Sequence, residues 1–306
     1  MQLSLPHDTQ DAVHARLTRD RQAVERALDA FLPPAGAPPR PLHDAMRHSV
    51  FGGGKRLRPI LVLAAAEVAG APPEAVLPAA CAVELIHTYS LIHDDLPAMD
   101  NSPTRRGRPA CHVLYGDAVA VLAGDALHAY AFELLARNAE APGIPAARVL
   151  GAIGELSASI GGGGMVGGQV LDLLAAGTQV AAADVRNIHR LKTGALLRAC
   201  LRIGGILGGA PQDTLDALSR YGDEVGLAFQ IVDDILDVVG EQGKLGKGTG
   251  SDAAQAKITF PLVFGLGDSR RLAREATGRA LLAIEPLEAR GPWLRDLAIF
   301  LLSRDR

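Results

Sequence analysis

The sequence predicts an all-α protein, and three observations predict it. Alanine and leucine, both strong helix formers, dominate the 306 residues. Runs of β-branched residues with a period of two, the mark of strands, are scarce. Hydrophobic residues make up 48% of the chain against 21% charged and 4% aromatic, enough for a large core that needs no cross-links. Residues 11–32 form a first amphipathic stretch, which runs into the proline-rich FLPPAGAPPRP. Residues 41–49 form a second. FGGGKRLRP (51–59) reads as a turn, with Pro59 suited to the first position of the next helix. Helices are predicted at 60–69, 74–96, 117–138, 146–159, 166–174, 184–207, 212–239 and 253–266, with two more toward the C-terminus. GEQGKLGKGTGSD (240–252) is glycine-rich and polar, so it reads as a loop and a candidate lid. No composition shift and no repeat interrupts the chain, so 1–306 reads as a single all-helical domain.

The net charge is −3, which gives no support for a nucleic-acid or membrane-surface binder. High hydrophobicity with low net charge argues against disorder. Cys81, Cys111 and Cys200 form no CxxC pair, so neither structural zinc nor a disulfide scaffold is expected. A reduced, cytoplasmic compartment is the expectation. The N-terminus lacks a basic region followed by an apolar run, so no signal peptide is expected. Mean hydropathy is +0.15, yet the apolar runs are cut by charges or diluted by glycine, as at 60–66 before Glu67 and around 161–168. None reads as a span of about 20 apolar residues.

Two acidic clusters stand out. HDDLPAMD supplies Asp94, Asp95 and Asp100, and Pro97 must end or kink the helix near Leu96. Glu84, His87, Leu91 and Asp94 share one face of that helix. DDILD supplies Asp233, Asp234 and Asp237, with Gln230 on the face of Asp233. The two sites echo each other: LIHDDL at 91–96 against QIVDDI at 230–235. Like charges at i, i+4 destabilise a helix, and the negative end of the macrodipole disfavours anions. A divalent cation compensates both, and hard oxygen ligands suit Mg²⁺, which takes one or two carboxylates plus substrate phosphates. One such cluster alone reads equally well as a solvated helix end; two on apolar helices do not.

The basic residues form a separate set. GGGKRLRP places a glycine turn and three cations before a helix start, an anion site without the GxxxxGK[ST] pattern of a nucleotide-binding loop. Arg105-Arg106, Lys192 with Thr193, Lys247 and Lys257 are further candidates. Each alone reads as a surface cation. Together, carboxylates for Mg²⁺ and cations for anions fit an apolar diphosphate.

GGKRLRP (53–59), ELIHTYSLIHDDLPAMD (84–100), RRG (105–107), LAGDAL (122–127), GGQVLDL (167–173), KTGAL (192–196), GLAFQIVDDILDVVG (226–240) and LGK (245–247) occur in one order. In this order the chain resembles the short-chain trans-isoprenyl diphosphate synthases of the polyprenyl synthetase family. The resemblance implies an isoprenoid synthase fold, a barrel-like bundle of about ten core helices around a deep central cavity, as a homodimer. It implies that Asp94, Asp95, Asp100, Asp233, Asp234 and Asp237 hold about three Mg²⁺ ions on the allylic diphosphate. Arg105, Lys192 and Lys247 match residues that bind that diphosphate. Lys55, Arg58, His87 and Arg106 match the isopentenyl diphosphate site. Thr193 and Gln230 match positions that place oxygen dipoles near the allylic cation. Tyr89, with the small Ser90 beside it, matches the position that stops the product at C15, (2E,6E)-farnesyl diphosphate. Tyr89 is about 140° around the helix from Asp94, so its direction comes from the resemblance and not from the helical wheel.

Alternatives remain: a geranyl or geranylgeranyl diphosphate synthase of the same fold, a class I terpene cyclase, a non-catalytic subunit, or a di-iron bundle. Tyr89 opposes a longer product, and the DDILD motif opposes the cyclase. The six aspartates oppose a non-catalytic subunit. One ExxH, at Glu84 and His87, is half of what a di-iron bundle needs. Asn101-Ser102-Pro103-Thr104, where relatives carry more acids, and the glycine run 161–164 depart from the pattern.

Overall fold

The computed structural model describes residues 4–175, 182–239 and 259–303. Helices α1 (His7–Phe31) and α2 (Arg40–Val50) flank the proline-rich connection. Helix α3 (Leu57–Val68) buries ten of its twelve residues, so it runs through the core and not along a surface. A 3-10 turn (Pro73–Val76) leads into α4 (Leu77–Asp94), which packs between α3 and α6 (Asp117–Ala136). Between α4 and α6 lie a small antiparallel hairpin, β1 (Thr104–Arg105) with β2 (Arg108–Pro109), and the short α5 (Cys111–Tyr115). Then come α7 (Ala146–Ile160), α8 (Met165–Ala175) and α9 (Ala182–His189). Helix α10 (Ala195–Gly208) packs on α3, α7 and α11 (Gln212–Val239), and α11 packs on α12 (Phe260–Ile284); α13 (Pro292–Leu302) completes the described chain.

The core has two unequal parts. The larger includes α3, α4, α6 and α10, with Ile60, Leu85, Ile86, Leu127, Leu134 and Leu196 almost fully buried. The smaller joins Val185 of α9, Ile231, Val232 and Ile235 of α11, and Phe260 and Ala273 of α12. Each acidic motif is rooted in a different part.

Several boundaries differ from those read in the sequence. The stretch 184–207 is not one helix: α9 gives way to a π-helical turn, Arg190–Gly194, before α10. The helix expected at 253–266 is described only from Phe260, and it continues to Ile284 past non-helical backbone at Gly265 (φ 76°, ψ 160°). The loop 240–252, with Lys247, and also Lys257, lie outside the described residues. The expectation that no segment is apolar enough to span a membrane fails on length and composition. Stretches Pro73–Asp94, Asp117–Glu140 and Ala146–Ala175 reach mean hydropathies of 1.5, 1.4 and 1.3. For α4 the physical reason is packing, since 67% of its window is buried in the protein interior; the other two windows are 39% buried, and the glycines at 161–164 do not separate α7 from α8 widely.

Candidate active site

The first acidic motif sits where α4 stops. The chain turns back at once, because the Asp100 N–H donates to Asp94 O at 2.8 Å and the Asn101 N–H to Leu96 O at 3.0 Å. This brings Asp100 beside the helix end that carries Asp94. Both are half-buried. Asp95 behaves differently. It is buried, and Arg105 of β1 donates to it through Nε, at 3.1 Å to each carboxylate oxygen, and through Nη2. The carboxylates of Asp95, Asp94 and Asp100 raise the Arg105 pKa against the opposing pull of burial.

The second motif lies near the end of α11. Asp233 and Asp237 are half-buried, whereas Asp234 is buried. Asp234 accepts from Gln230 Nε2 at 2.8 Å and from the Phe260 N–H at 2.9 Å. Both middle aspartates, expected among the metal ligands, thus already hold protein donors.

The cations gather between the motifs. Arg56 and Arg106 adopt left-handed backbone (φ 53° each), which costs a non-glycine residue about 1–3 kcal/mol and persists only when its surroundings hold it. Arg56 is held by Glu84 Oε1 at 2.7 Å and Val50 O at 2.7 Å, Arg106 by Gly53 O. Gly54 has φ 128°, a backbone conformation that strains any residue with a Cβ, and the Arg106 guanidinium fills the space beside it. Glu84 is thereby consumed by Arg56, which removes the ExxH reading. Burial lowers the Arg58 pKa, and its buried Nε has no hydrogen-bond partner. Burial, then Arg58, Arg106, Arg105 and Arg56, hold the His87 imidazole neutral, well below its ordinary value of 6.5. Asp233 acts electrostatically on Arg58, which links the second motif to this basic cluster. Lys55 is exposed on the glycine turn.

The π-turn presents Lys192 and Thr193. Helix α8 crosses it at Gly168, where an added Cβ would lie 2.3 Å from Lys192 N. Lys192 Nζ donates to Asp172 Oδ2 at 2.5 Å, and Thr193 Oγ1 to Gln230 Oε1 at 2.8 Å. Asp172 is a site residue that sequence reading missed. Its signal was a lone carboxylate on an apolar helix, three residues after Gln169, whose buried Oε1 lacks a partner. His189, stacked on Phe260 at 5.3 Å, was also missed. Electrostatic and hydrogen-bond links thus join Arg105 to Asp94, Asp95 and Asp100, His87 to Arg105, Arg106 and Arg58, Arg58 to Asp233, and Gln230 to Thr193 and Asp234; Tyr89 and Ser90 lie further back on α4. Tyr89 is buried, and Ser90 Oγ donates to His87 O.

Among the described residues no three His, Cys, Asp or Glu side chains form a ready metal cage. The half-buried carboxylates of Asp94, Asp100, Asp233 and Asp237, with a buried Arg58 Nε that lacks a hydrogen-bond partner, fit a divalent ion shared with phosphate oxygens. The class this defines is an all-α protein that binds diphosphates through divalent metal.

The polyprenyl synthetase model matches residues 39–284, and the chain belongs to that family of trans-prenyl diphosphate synthases, whose members bind diphosphate through a divalent metal. It is 42% identical over 287 residues to farnesyl diphosphate synthase of Escherichia coli (strain K12), covering 92% of this chain and 96% of that protein. It is 42% identical over 286 residues to geranylgeranyl diphosphate synthase of Cyanophora paradoxa, covering 93% and 94%. The apo crystal structure of an FPP/GFPP synthase from Zymomonas mobilis superposes with a TM-score of 0.84 at 36% identity, covering 95% of this chain and 99% of that one. The fold is the all-α isoprenoid synthase fold.

Proposed function

We propose that the protein condenses isopentenyl diphosphate with dimethylallyl and then geranyl diphosphate, in the presence of Mg²⁺, and stops at (2E,6E)-farnesyl diphosphate. The observation that carries the C15 limit is a ladder of rings across the α4–α6 contact. Tyr89 is 9% exposed, its ring 4.9 Å from that of His128, which is 5.4 Å from that of Phe132. Burial, and secondarily Asp94, push the Tyr89 phenol up to about 12, so it stays neutral within electrostatic reach of the first motif. A chain growing past Asp94 meets this wall.

Asp94, Asp100, Asp233 and Asp237 hold the metal, about three Mg²⁺ by resemblance, and Arg105 and Lys192 approach the allylic diphosphate. Lys247 has the same role by resemblance alone. Mg²⁺, when bound, supplies positive charge to the departing diphosphate. Arg58, Arg106 and Lys55 hold isopentenyl diphosphate, whose charge relieves the mutual repulsion of the half-buried arginines, while neutral His87 adds a hydrogen bond. Thr193 and Gln230 place oxygen beside the allylic carbon as its bond to diphosphate breaks. The isopentenyl double bond supplies the electrons of the new C–C bond, and the proton then lost goes to the departing diphosphate.

We also infer a homodimer. Val113 and Leu114 of α5 and Val121 and Leu122 of α6 are 39–57% exposed, and a second copy of the chain covers them. The expected solution mass is twice the 32.0 kDa of one chain. We propose the cytoplasm as the compartment, a reading that the three free, buried cysteines suit.

The test is to incubate the purified protein with isopentenyl and dimethylallyl diphosphates and Mg²⁺, then chromatograph the dephosphorylated alcohols. C15 is expected, with longer alcohols from Tyr89→Ala and His128→Ala. No prenyl product refutes the enzyme reading. C20 as the main wild-type product refutes the chain-length reading.

A further inference from the structure

We propose that Asp234 is a positioning residue for prenyl transfer: its carboxylate fixes the Gln230 amide so that oxygen, and not N–H, is presented beside Thr193. The inference rests on the prenyl-transfer reading but not on the product length.

A chain of three hydrogen bonds carries it. Thr193 Oγ1 donates to Gln230 Oε1 at 2.8 Å, Gln230 Nε2 donates to Asp234 Oδ1 at 2.8 Å, and the Phe260 N–H donates to Asp234 Oδ2 at 2.9 Å. A primary amide has an oxygen face and an N–H₂ face of nearly the same shape, so only its partners decide which way it points. The Thr193 hydroxyl cannot decide, because it accepts as readily as it donates. An ionised carboxylate can only accept. Turning the amide over would set Gln230 Oε1 against Asp234 Oδ1, two acceptors in contact, and would lose a charge-assisted hydrogen bond, which is about twice as strong as a neutral one. Asp234 therefore selects the orientation in which a carbonyl oxygen lies at the Thr193 end.

The surroundings make that selection rigid. Asp234 is 2% exposed, so water does not compete for it. His189 Nε2 lies 3.6 Å from Asp234 Oδ2, and its ring stacks on Phe260. His189 also directly precedes the π-turn that carries Lys192 and Thr193. One carboxylate thus ties the end of α11 to the start of α12 and to the turn that bears the partner hydroxyl. An N–H₂ group in place of the oxygen would set the positive end of a dipole beside a developing carbocation, where preorganised dipoles act strongly.

The test exchanges the two groups. In Asp234→Asn the new amide oxygen keeps the Phe260 N–H, its N–H₂ faces Gln230, and the Gln230 amide turns over. Turnover is expected to fall about 100-fold. The affinity for geranyl diphosphate by calorimetry, the melting temperature trend with added substrate and the Mg²⁺ concentration for half-maximal rate stay within about twofold of wild type, as expected when only an orientation changes. Gln230→Glu alone sets two carboxylates in contact and is expected to lose activity as pH rises. Combining Gln230→Glu with Asp234→Asn restores an amide–carboxylate pair with oxygen at Thr193, and is expected to recover turnover at least tenfold over either single variant. A double variant no better than the worse single one overturns the proposal. So does an Asp234→Asn enzyme whose Mg²⁺ requirement rises as it does in Asp233→Asn. If Asp234→Asn does not fold, the pH profile of Gln230→Glu decides: a profile parallel to wild type contradicts the proposal. Wild-type protein without prenyl-transfer activity would instead remove the reading on which the inference stands.

Discussion

The two acidic motifs are written alike but supported differently. HDDLPAMD ends a helix rooted in the larger core, and its buried middle carboxylate, Asp95, is paired with a cation, Arg105, from the hairpin that follows. DDILD lies in the C-terminal part of α11, on the smaller core, and its buried middle carboxylate, Asp234, accepts from an amide and a backbone N–H. In both, the flanking aspartates stay half-buried. The difference teaches that an adjacent pair of acids divides its labour. One side chain of each pair is spent inside, holding a neighbour in place, and the other is left to the substrate side. The neighbour held in the first motif is a cation, Arg105; those held in the second include the dipole of the Gln230 amide.

The largest effect that can break this comparison is on turnover. Asp94→Ala and Asp233→Ala should each lower kcat by about 100- to 1000-fold, the scale of losing one preorganised electrostatic contact, while circular dichroism and the melting curve stay near wild type. Near-normal turnover in either would remove the outer carboxylates from the metal role.

Next comes stability. Asp95→Ala leaves Arg105 largely buried without its partner, which should cost about 3 kcal/mol in urea unfolding. Asp234→Ala frees the Gln230 amide and the Phe260 N–H, at about 1–3 kcal/mol for each group left unsatisfied, and should cost a comparable amount. A much larger cost for Asp234→Ala would mean that the smaller core depends on its carboxylate more than the larger one does. Arg56→Ala provides the reference for a fully buried pair, since Arg56 and Glu84 are 1% and 2% exposed in their side chains, and should cost about 3–5 kcal/mol.

The smallest effect is the pH dependence. His87 on the first side is held well below its ordinary value by burial and the arginines, and His189 on the second is lowered to about 4, first by burial. Both are neutral when folded and bind a proton more readily when unfolded. Above the unfolded value of about 6.5 neither alters stability; below it the unfolded chain gains protons and stability falls, for His189 until about pH 4. At pH 5 His189 should cost about 2 kcal/mol relative to pH 7, since one pKa unit is worth about 1.4 kcal/mol, and His87 acts in the same direction. His189→Gln should flatten its share of that loss in unfolding curves taken across this range.

Much of this was legible in the sequence. The start of α11 coincides with that read from its pattern, and Pro97 marks the end of α4 closely because proline cannot continue the hydrogen-bond ladder. The set of carboxylates and cations was legible for the same reason that it functions: hydrophobic helices do not carry charge without a use. Which of two adjacent acids turns inward was not legible, because that depends on Arg105 and Phe260 arriving from other segments. The π-turn was hidden because Arg190–Gly194 has an ordinary helical composition, and its shape answers the crossing of α8 at Gly168. Asp172 was hidden because its partner, Lys192, is contributed by that same turn.

The most direct test of the division within each motif is how the affinity for geranyl diphosphate depends on Mg²⁺ concentration. Calorimetry on wild type, Asp94→Asn, Asp95→Asn, Asp233→Asn and Asp234→Asn would read it as the slope of log affinity against log Mg²⁺ concentration. The account predicts a shallower slope for Asp94→Asn and Asp233→Asn and the wild-type slope for Asp95→Asn and Asp234→Asn. Equal loss of slope in all four variants would contradict it.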